Sequence, residues 1–399
     1  MHQVSPEQLV PFPCKIRGLC ASCGAKRMAQ QSAHLVDRVF PDVTLRQWVL
    51  SVPFALRPMV SLDRELQSRC LQIFVEEIFQ VYRGRPSDEV GAVSVIQRFG
   101  SALNLHAHFH VLAMDGRWRE DACGALCFQD FPLKSSDIES VSERVADRTM
   151  ALLRRWGRIE DEHLEWMDAP NWPSPVAEGE GGWLVGEDQP LVAPSAAAPV
   201  GTSESPYVAQ THGFSVHAGV SMDGFDVRGR ERLCRYATRP PYADAQLTET
   251  RDGRIAYKLA KPKKTGETHV FFTPNQLVRR LTSQIPPLGQ NLLRYHGVLG
   301  PAARRRKEVV RSVPPPRSHR QDGDPEGLTE KASTWVTLLQ RVYEIDVLAC
   351  PDCGGRLRIV SAIEDPSVIR KILTHLGLAP SSAPEPSSEV VIVYEAGAG

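Results

Sequence analysis

The chain has 399 residues, 42% of them hydrophobic and 24% charged, and its 47 basic and 47 acidic side chains cancel to zero formal charge. Such a length supports a large core and more than one domain. No 18-residue apolar run occurs and Met1 to Pro13 has no apolar core segment, so neither a membrane-spanning helix nor a secretory leader is expected.

The neutral total hides segregation. Glu160 to Glu204 carries acids and no Lys or Arg, whereas Arg251 to Arg320 is strongly basic, with only Asp252, Glu267 and Glu308 opposing it. Local charge governs polyanion binding, so a neutral sum does not exclude nucleic acid. The nine cysteines include two Cys-x-x-Cys pairs. In the expected reducing, cytoplasmic setting such pairs read as metal ligands before disulfides.

In chain order, Cys14-x5-Cys20-Ala-Ser-Cys23-Gly24 has the spacing of a zinc knuckle, with His34 a distant fourth ligand. It reads as the back half of a cysteine-rich module at residues 1–40. Cys70, Cys123, Cys127 and Cys234 read as ordinary buried thiols. Gln47 to Phe54 predicts a strand stopped by Pro53, and Leu62 to Arg83 a core helix from its apolar spacing. Val93 to Phe99 predicts a strand that turns at Gly100-Ser101 and pairs with the next one.

That next stretch, Leu103-Asn-Leu-His106-Ala-His108-Phe-His110-Val-Leu-Ala-Met114, alternates three histidines with small or apolar residues. In a strand the imidazoles share one face, while Ala107, Phe109 and Val111 turn to a core. Burying three imidazoles is costly unless something satisfies them, and a metal ion does so. Residues i and i+2 lie ~6.6 Å apart and i and i+4 about 13 Å, so one straight strand offers two ligands, not three.

Ser135 to Ile159 predicts a helix. Residues 169–207, rich in Pro, Gly, Ala and Ser, are expected to be an insertion without fixed structure. Phe214 to Val220 predicts a strand, with His217 opposite Phe214 and Val216. Arg228 to Arg239 predicts a helix broken at Pro240-Pro241, placing Arg232 and Arg239 on the side of Tyr236. A neutral phenol is a poor nucleophile, so cations or a metal beside Tyr236 would have to favour phenolate; the same arginines would hold a phosphate.

Ile255 to Phe272 predicts two strands around Lys263-Lys264-Thr265-Gly266, and Gln276 to Gln284 a short helix. A linker at 311–330 leads to a small unit at 331–378 with a second knuckle, Cys350-Pro-Asp-Cys353. The tail at 379–399 is expected to lack structure. The fold class is α+β, an antiparallel sheet with packed helices.

Together, Cys14 to Gly24, Phe99 to His110, Arg232-Leu-Cys-Arg-Tyr236-x-x-Arg239-Pro240 and Tyr295-His296-Gly297-Val298-Leu299 resemble the HUH-class transposases of rolling-circle insertion sequences. The likeness is to the insertion sequence 91 type and its common-region relatives. It covers roughly Pro11 to Val310, making 45–310 the nuclease domain. It implies that His108 and His110 are the metal pair, that Tyr236 is the nucleophile, and that His106 is a neighbour supporting them. Two-tyrosine members carry Tyr-x-x-x-Tyr; here Arg232 stands four before Tyr236, which places the chain with the single-tyrosine branch. The cysteine-rich N-terminal module is half present.

The implied chemistry is nicking and joining of single-stranded DNA through a 5′-phosphotyrosine, with Mg²⁺ or Mn²⁺ held by two histidines and a third ligand. Gln97, on the strand paired with the histidines, is preferred as third ligand, with His217 the alternative. Arg232, Arg235 and Arg239 would clamp phosphate, and Lys258, Lys261, Lys263 and Lys264 would track the backbone. Structural Zn²⁺ would sit on Cys14, Cys20 and Cys23 and on Cys350 and Cys353. Two rivals stand beside this reading. A metal-dependent hydrolase would need further Asp and His ligands at strand ends, and the sequence shows none beside His110. A non-catalytic DNA-binding remnant would bind element ends without cutting.

Overall fold

A computed structural model describes residues 10–11, 19–159, 206–263, 266–287, 289–310, 357–363, 366–375 and 391–396. The chain divides into two units, residues 34–312 and a smaller one formed by residues 1–33 with 313–399. The expected insertion, apart from residues 206–207, and the linker lie outside the described residues, as do Cys14, Cys350, Cys353 and Lys264.

The helix Ala21–Arg38 (α1) ends in the larger unit. The unit's elements then run β1 (Leu45–Ser51), α2 (Arg57–Leu62), α3 (Arg64–Tyr82), β2 (Gly91–Phe99), β3 (Leu105–Met114), β4 (Gly116–Glu120), β5 (Leu126–Asp130) and α4 (Ser135–Arg155). They continue with β6 (Val208–Thr211), β7 (Phe214–Met222), α5 (Val227–Thr238), β8 (Leu247–Glu249), β9 (Ile255–Lys258), β10 (His269–Phe272), α6 (Pro274–Ser283) and β11 (Leu293–Gly297).

Six strands form one antiparallel sheet in the order β11-β2-β3-β1-β7-β6. The histidine strand therefore sits at its centre, paired with β2 as expected. Trp48, Leu50, Ile96, Ala107, Phe109, Val111, Phe214 and Val216 build one face into a core with α3 and α4. Leu45, Val93, Val95, Leu112 and Met114 form a smaller core on the other face with Leu35 and Val36 of α1 and Leu233, Cys234 and Ala237 of α5. The α+β antiparallel class is therefore observed.

Local chemistry explains the helix ends. Asp63 caps α3 by accepting from the N–H groups of Glu65 and Leu66 at 2.9 and 3.0 Å. Thr273 and Gln276 form a capping box on α6, with Pro274 in its first turn. Between the sheet and α3, Arg46 donates to Asp115 at 2.6–2.9 Å, Tyr82 donates its hydroxyl to Asp115 at 2.9 Å, and Trp48 donates to Tyr82 at 3.1 Å. Each buried polar atom in that network has a partner, which burial requires.

Several elements carry no strong pattern in the sequence. The strand β11 is a short edge piece of mixed residues around Tyr295-His296. The hairpin β4–β5 hangs beyond the sheet and exposes Cys123 and Cys127, which therefore are not buried thiols; Cys70 and Cys234 are buried. Residues 21–38, read from their cysteines, form a helix whose apolar positions Ala29, Leu35 and Val36 are buried. Strand β8 adds a third member to the β9–β10 pair.

In the smaller unit, Val10–Pro11, Val391–Ala396 and Leu357–Ile363 form a three-stranded antiparallel sheet, with a helix at Pro366–His375. The strand Val391–Ala396 corrects the expectation of an unstructured tail, its run of Val391, Ile392, Val393 and Tyr394 supplying strand-forming side chains. Among the described residues no helix is long and apolar enough to cross a membrane.

Candidate functional site

The site is a row of rings on the α5 face of the sheet. The imidazoles of His106, His108 and His110 follow one another with centroids 5.1 and 5.0 Å apart, and the ring of Tyr236 stands edge-on to His110 at 5.6 Å. Alternation on β3 makes the row; α5 brings the tyrosine. Asp226 caps the start of α5 by accepting from Gly229 N–H at 2.8 Å. Arg230, 1% exposed, pins that first turn by donating to the carbonyls of Gly224 (2.6 Å), Pro41 (2.9 Å) and Phe40 (3.2 Å). Gly224 allows this close approach, since a Cβ there would come within 2.5 Å of the Asp42–Val43 backbone. The tyrosine follows at the last turn of the anchored helix, and the chain leaves it at Pro240.

Gln97 lies directly opposite His108 across the β2–β3 ladder. Its Oε1 is 3.0 Å from His108 Nε2, and its Nε2 donates to the carbonyls of Tyr236 (3.0 Å) and Ala237 (2.8 Å). Arg239 is expected to project from the helix beside Tyr236. It lies instead just past the helix end, with extended backbone. Its guanidinium nevertheless stacks over the Tyr236 ring at 4.5 Å and the Phe99 ring at 5.7 Å, and Phe99 abuts His108. Gln97 and Phe99 from β2, the β3 histidines, Tyr236 and Arg239 thus form one connected cluster.

His106 and His110 are buried and His108 is half-buried, and desolvation disfavours the charged imidazole at all three. His108 is pushed down to about 4 by burial, with the Arg239 and Arg57 cations adding to the effect. Burial holds His106 and His110 well below the usual imidazole range, helped by Arg57 at His106 and by Arg239 at His110. His108 Nδ1 lies 3.2 Å from the carbonyl of His106, a main-chain contact. His110 Nδ1 meets Gln47 Nε2 at 2.6 Å. The Nε2 atoms of His106 and His110 are buried with no hydrogen-bond partner among the described residues.

Those contacts test whether a cation fits. A neutral imidazole carries one N–H, yet His108 faces an acceptor at each nitrogen: the His106 carbonyl and Gln97 Oε1. The Gln97 amide cannot be turned over without setting its oxygen against two carbonyls. One of the His108 contacts is thus acceptor to acceptor, a pairing that a cation between Nε2 and Oε1 relieves. Two ligands at right angles on an ion with ~2.1 Å bonds stand about 3 Å apart, the separation seen here. The unpartnered His110 Nε2 adds a third donor atom to the cluster. A set of two imidazole nitrogens and one amide oxygen suits a borderline-to-hard divalent ion. Among the described residues no group of three His, Cys, Asp or Glu side chains is placed to hold a metal ion.

The remaining expected residues are less concentrated. His217 is half-buried on β7, two strands from His110, and its Nε2 lies against Gly219 of its own strand. Arg232 is exposed with no carboxylate partner among the described residues, and Arg235 is half-buried on α5. Lys258 on β9 and Lys261 just beyond it are exposed, and Lys263 is paired with Glu267. Cys20 just precedes α1 and Cys23 lies in its first turn, neither in a disulfide, with the Cys23 N–H donating to Cys20 Sγ at 3.5 Å.

Two residues of the cluster were not foreseen. Gln47 is a buried amide on the apolar strand β1, and that incongruity is its only sequence signal. Arg57 opens α2 and donates to the carbonyl of Val52 at 3.4 Å, one residue past Ser51, the register partner of His108. Nothing in its local sequence distinguishes it from a surface arginine.

Comparison with known proteins adds a family. No curated protein and no solved structure matches the chain. The family described as "Putative transposase" matches residues 91–308, from the first residue of β2 to beyond β11, and so takes in Gln97, all three histidines, Tyr236 and Arg239. With more than half of its length matched, the chain belongs to this transposase family.

Proposed function

We propose that the protein is a single-tyrosine transposase of the HUH class, related to the insertion sequence 91 type, which nicks and joins single-stranded DNA by a rolling-circle-like route. The observation that carries this reading is the contact of neutral His108 with acceptors at both nitrogens, next to a ring of Tyr236 5.6 Å from His110. His108, His110 and Gln97 would hold Mg²⁺ or Mn²⁺. The bound ion would supply Lewis-acid polarisation of the scissile phosphate.

The protein's own groups do the rest. Tyr236, 42% exposed, presents its ring to solvent and to an incoming strand. Its oxygen attacks phosphorus and its proton leaves to water. The bond from phosphorus to the 3′ oxygen breaks and that oxygen takes a proton from water, giving a 5′-phosphotyrosine and a free 3′-hydroxyl. Because the link keeps the phosphodiester energy, attack by a 3′-hydroxyl reverses it without a nucleotide cofactor. Arg239 stacks on the tyrosine and would meet the phosphate there; Arg232 and Arg235 extend the cationic rim along α5. Lys258, Lys261, Lys263 and Lys264 would follow the backbone, making binding strongly salt-dependent. Zn²⁺ at Cys14, Cys20 and Cys23, and at Cys350 and Cys353, belongs to the same reading, as does a cytoplasmic setting.

Element-end oligonucleotides with Mn²⁺ provide the test. A covalent protein–DNA adduct should appear on a denaturing gel and vanish in Tyr236→Phe, while DNA binding persists. An adduct that survives Tyr236→Phe removes the nucleophile assignment. Binding with no adduct on any end sequence favours the non-catalytic remnant.

A further inference from the structure

The nucleophile and the histidines stand on separate elements, a helix and a sheet, and strand transfer needs them held in one geometry. Within the described residues, Gln97 is the side chain that hydrogen-bonds to both. It is 3% exposed, on the central strand β2, and anchored by the ladder with β3. Its nitrogen satisfies two of the carbonyls that every helix leaves unpaired at its C-terminal end, here those of Tyr236 and Ala237. In the same turn the Thr238 hydroxyl donates back to the carbonyl of Cys234 at 2.8 Å.

We infer that Gln97 is a positioning residue that locks the Tyr236 end of α5 to the histidine row, and that this task requires an amide. A carboxylate would serve a cation as well or better. It has no N–H to give, so at position 97 it would set an acceptor oxygen against the two helix-end carbonyls. An amide alone presents an oxygen to His108 and two N–H groups to the helix. The inference rests on the proposed function for its meaning in catalysis; the link itself is a property of the folded chain.

Gln97→Glu separates the two tasks, with Gln97→Ala as the loss of both. In the metal-free protein, hydrogen exchange of the last turn of α5, residues 233–239, should speed up about tenfold in Gln97→Glu, the effect of two lost hydrogen bonds. Mn²⁺ affinity, read calorimetrically, should be kept or improved in Gln97→Glu and reduced in Gln97→Ala. The single-turnover rate of adduct formation at saturating Mn²⁺ should fall about a hundredfold in Gln97→Glu, as expected for a displaced nucleophile. Unchanged exchange in residues 233–239 overturns the inference, and so does a Gln97→Glu adduct rate equal to that of the unaltered protein. Should the unaltered protein form no adduct, the functional reading fails, yet the exchange comparison still decides whether Gln97 holds the helix.

Discussion

The two faces of the central sheet are made from the same strands and differ in what they leave unsatisfied. On the α3–α4 face Phe109, Trp48 and Phe214 are wholly buried, and the Arg46–Asp115–Tyr82–Trp48 chain of contacts gives each polar atom a partner. On the α5 face, one residue along the same strand, His106 and His110 bury nitrogens without partners among the described residues, and His108 meets an acceptor at each nitrogen. An unpartnered buried polar group costs ~1–3 kcal/mol. The apolar face carries the stability from which that cost is met. The sheet thus concentrates its apolar packing on one side and its unsatisfied polar groups on the other.

The largest test of this division is to strip the site and weigh both outcomes. His108→Ala with His110→Ala should lower adduct formation about a thousandfold, the scale of a lost Lewis acid. Chemical denaturation should register a loss of only about 1 kcal/mol, since the removed groups include an unsatisfied one. Phe109→Ala, between those histidines but facing the other way, should do the reverse. It should cost ~3–5 kcal/mol and leave the adduct rate per folded molecule nearly unchanged. If the histidine pair proves as costly to stability as Phe109, the two faces are not divided in this way.

The apolar face has its own histidine, which sharpens the contrast through pH. His296 on β11 pairs with Ser94 Oγ at 2.8 Å and is pushed down to about 4 by burial, with the Arg294 cation adding to the effect. Its ordinary value is 6.5. Between those values the unfolded chain binds more protons than the folded one. The contribution is therefore intact above pH 6.5 and is lost as pH falls toward 4. For a half-buried ring, solvent screening trims the loss to about 2 kcal/mol. His296→Gln keeps a partner for Ser94, so its urea midpoint should fall less between pH 7.5 and pH 5 than that of the unaltered protein. Equal falls would mean that His296 titrates normally in the folded state.

How much of this was legible in the sequence follows the same division. Period-two alternation in β3 foretold both faces, because in a strand the sequence position alone decides which way a side chain points. The helix at 64–82, the β2–β3 pairing and the Pro240 break near the end of α5 were legible for similarly local reasons. Gln47 and Arg57 were not, because their relation to the histidines is set by strand register and by a loop, neither of which leaves a periodic trace. Gln97 was legible as a neighbour of His108 through pairing. Its hold on the tyrosine helix was not, since residues 97 and 236 meet only once the chain between them is folded. Arg239 was placed on the correct side for an incorrect reason: it reaches Tyr236 from beyond the helix end.

The smallest effect is expected away from the sheet, at Lys258. This lysine is exposed on β9 with no carboxylate partner among the described residues, so its charge is available to a phosphate. Removing one phosphate contact to a single strand should reduce the slope of log affinity against log salt by ~0.7. Lys258→Ala should therefore bind an oligonucleotide a few-fold more weakly at low salt and converge with the unaltered protein as salt rises. The rate of adduct formation at saturating DNA should not change, because the residue would guide the strand without touching the reacting atoms. Fluorescence anisotropy across a salt series separates the cases. A parallel shift with unchanged slope would point to damaged structure, and no shift at all would take Lys258 off the path of the strand.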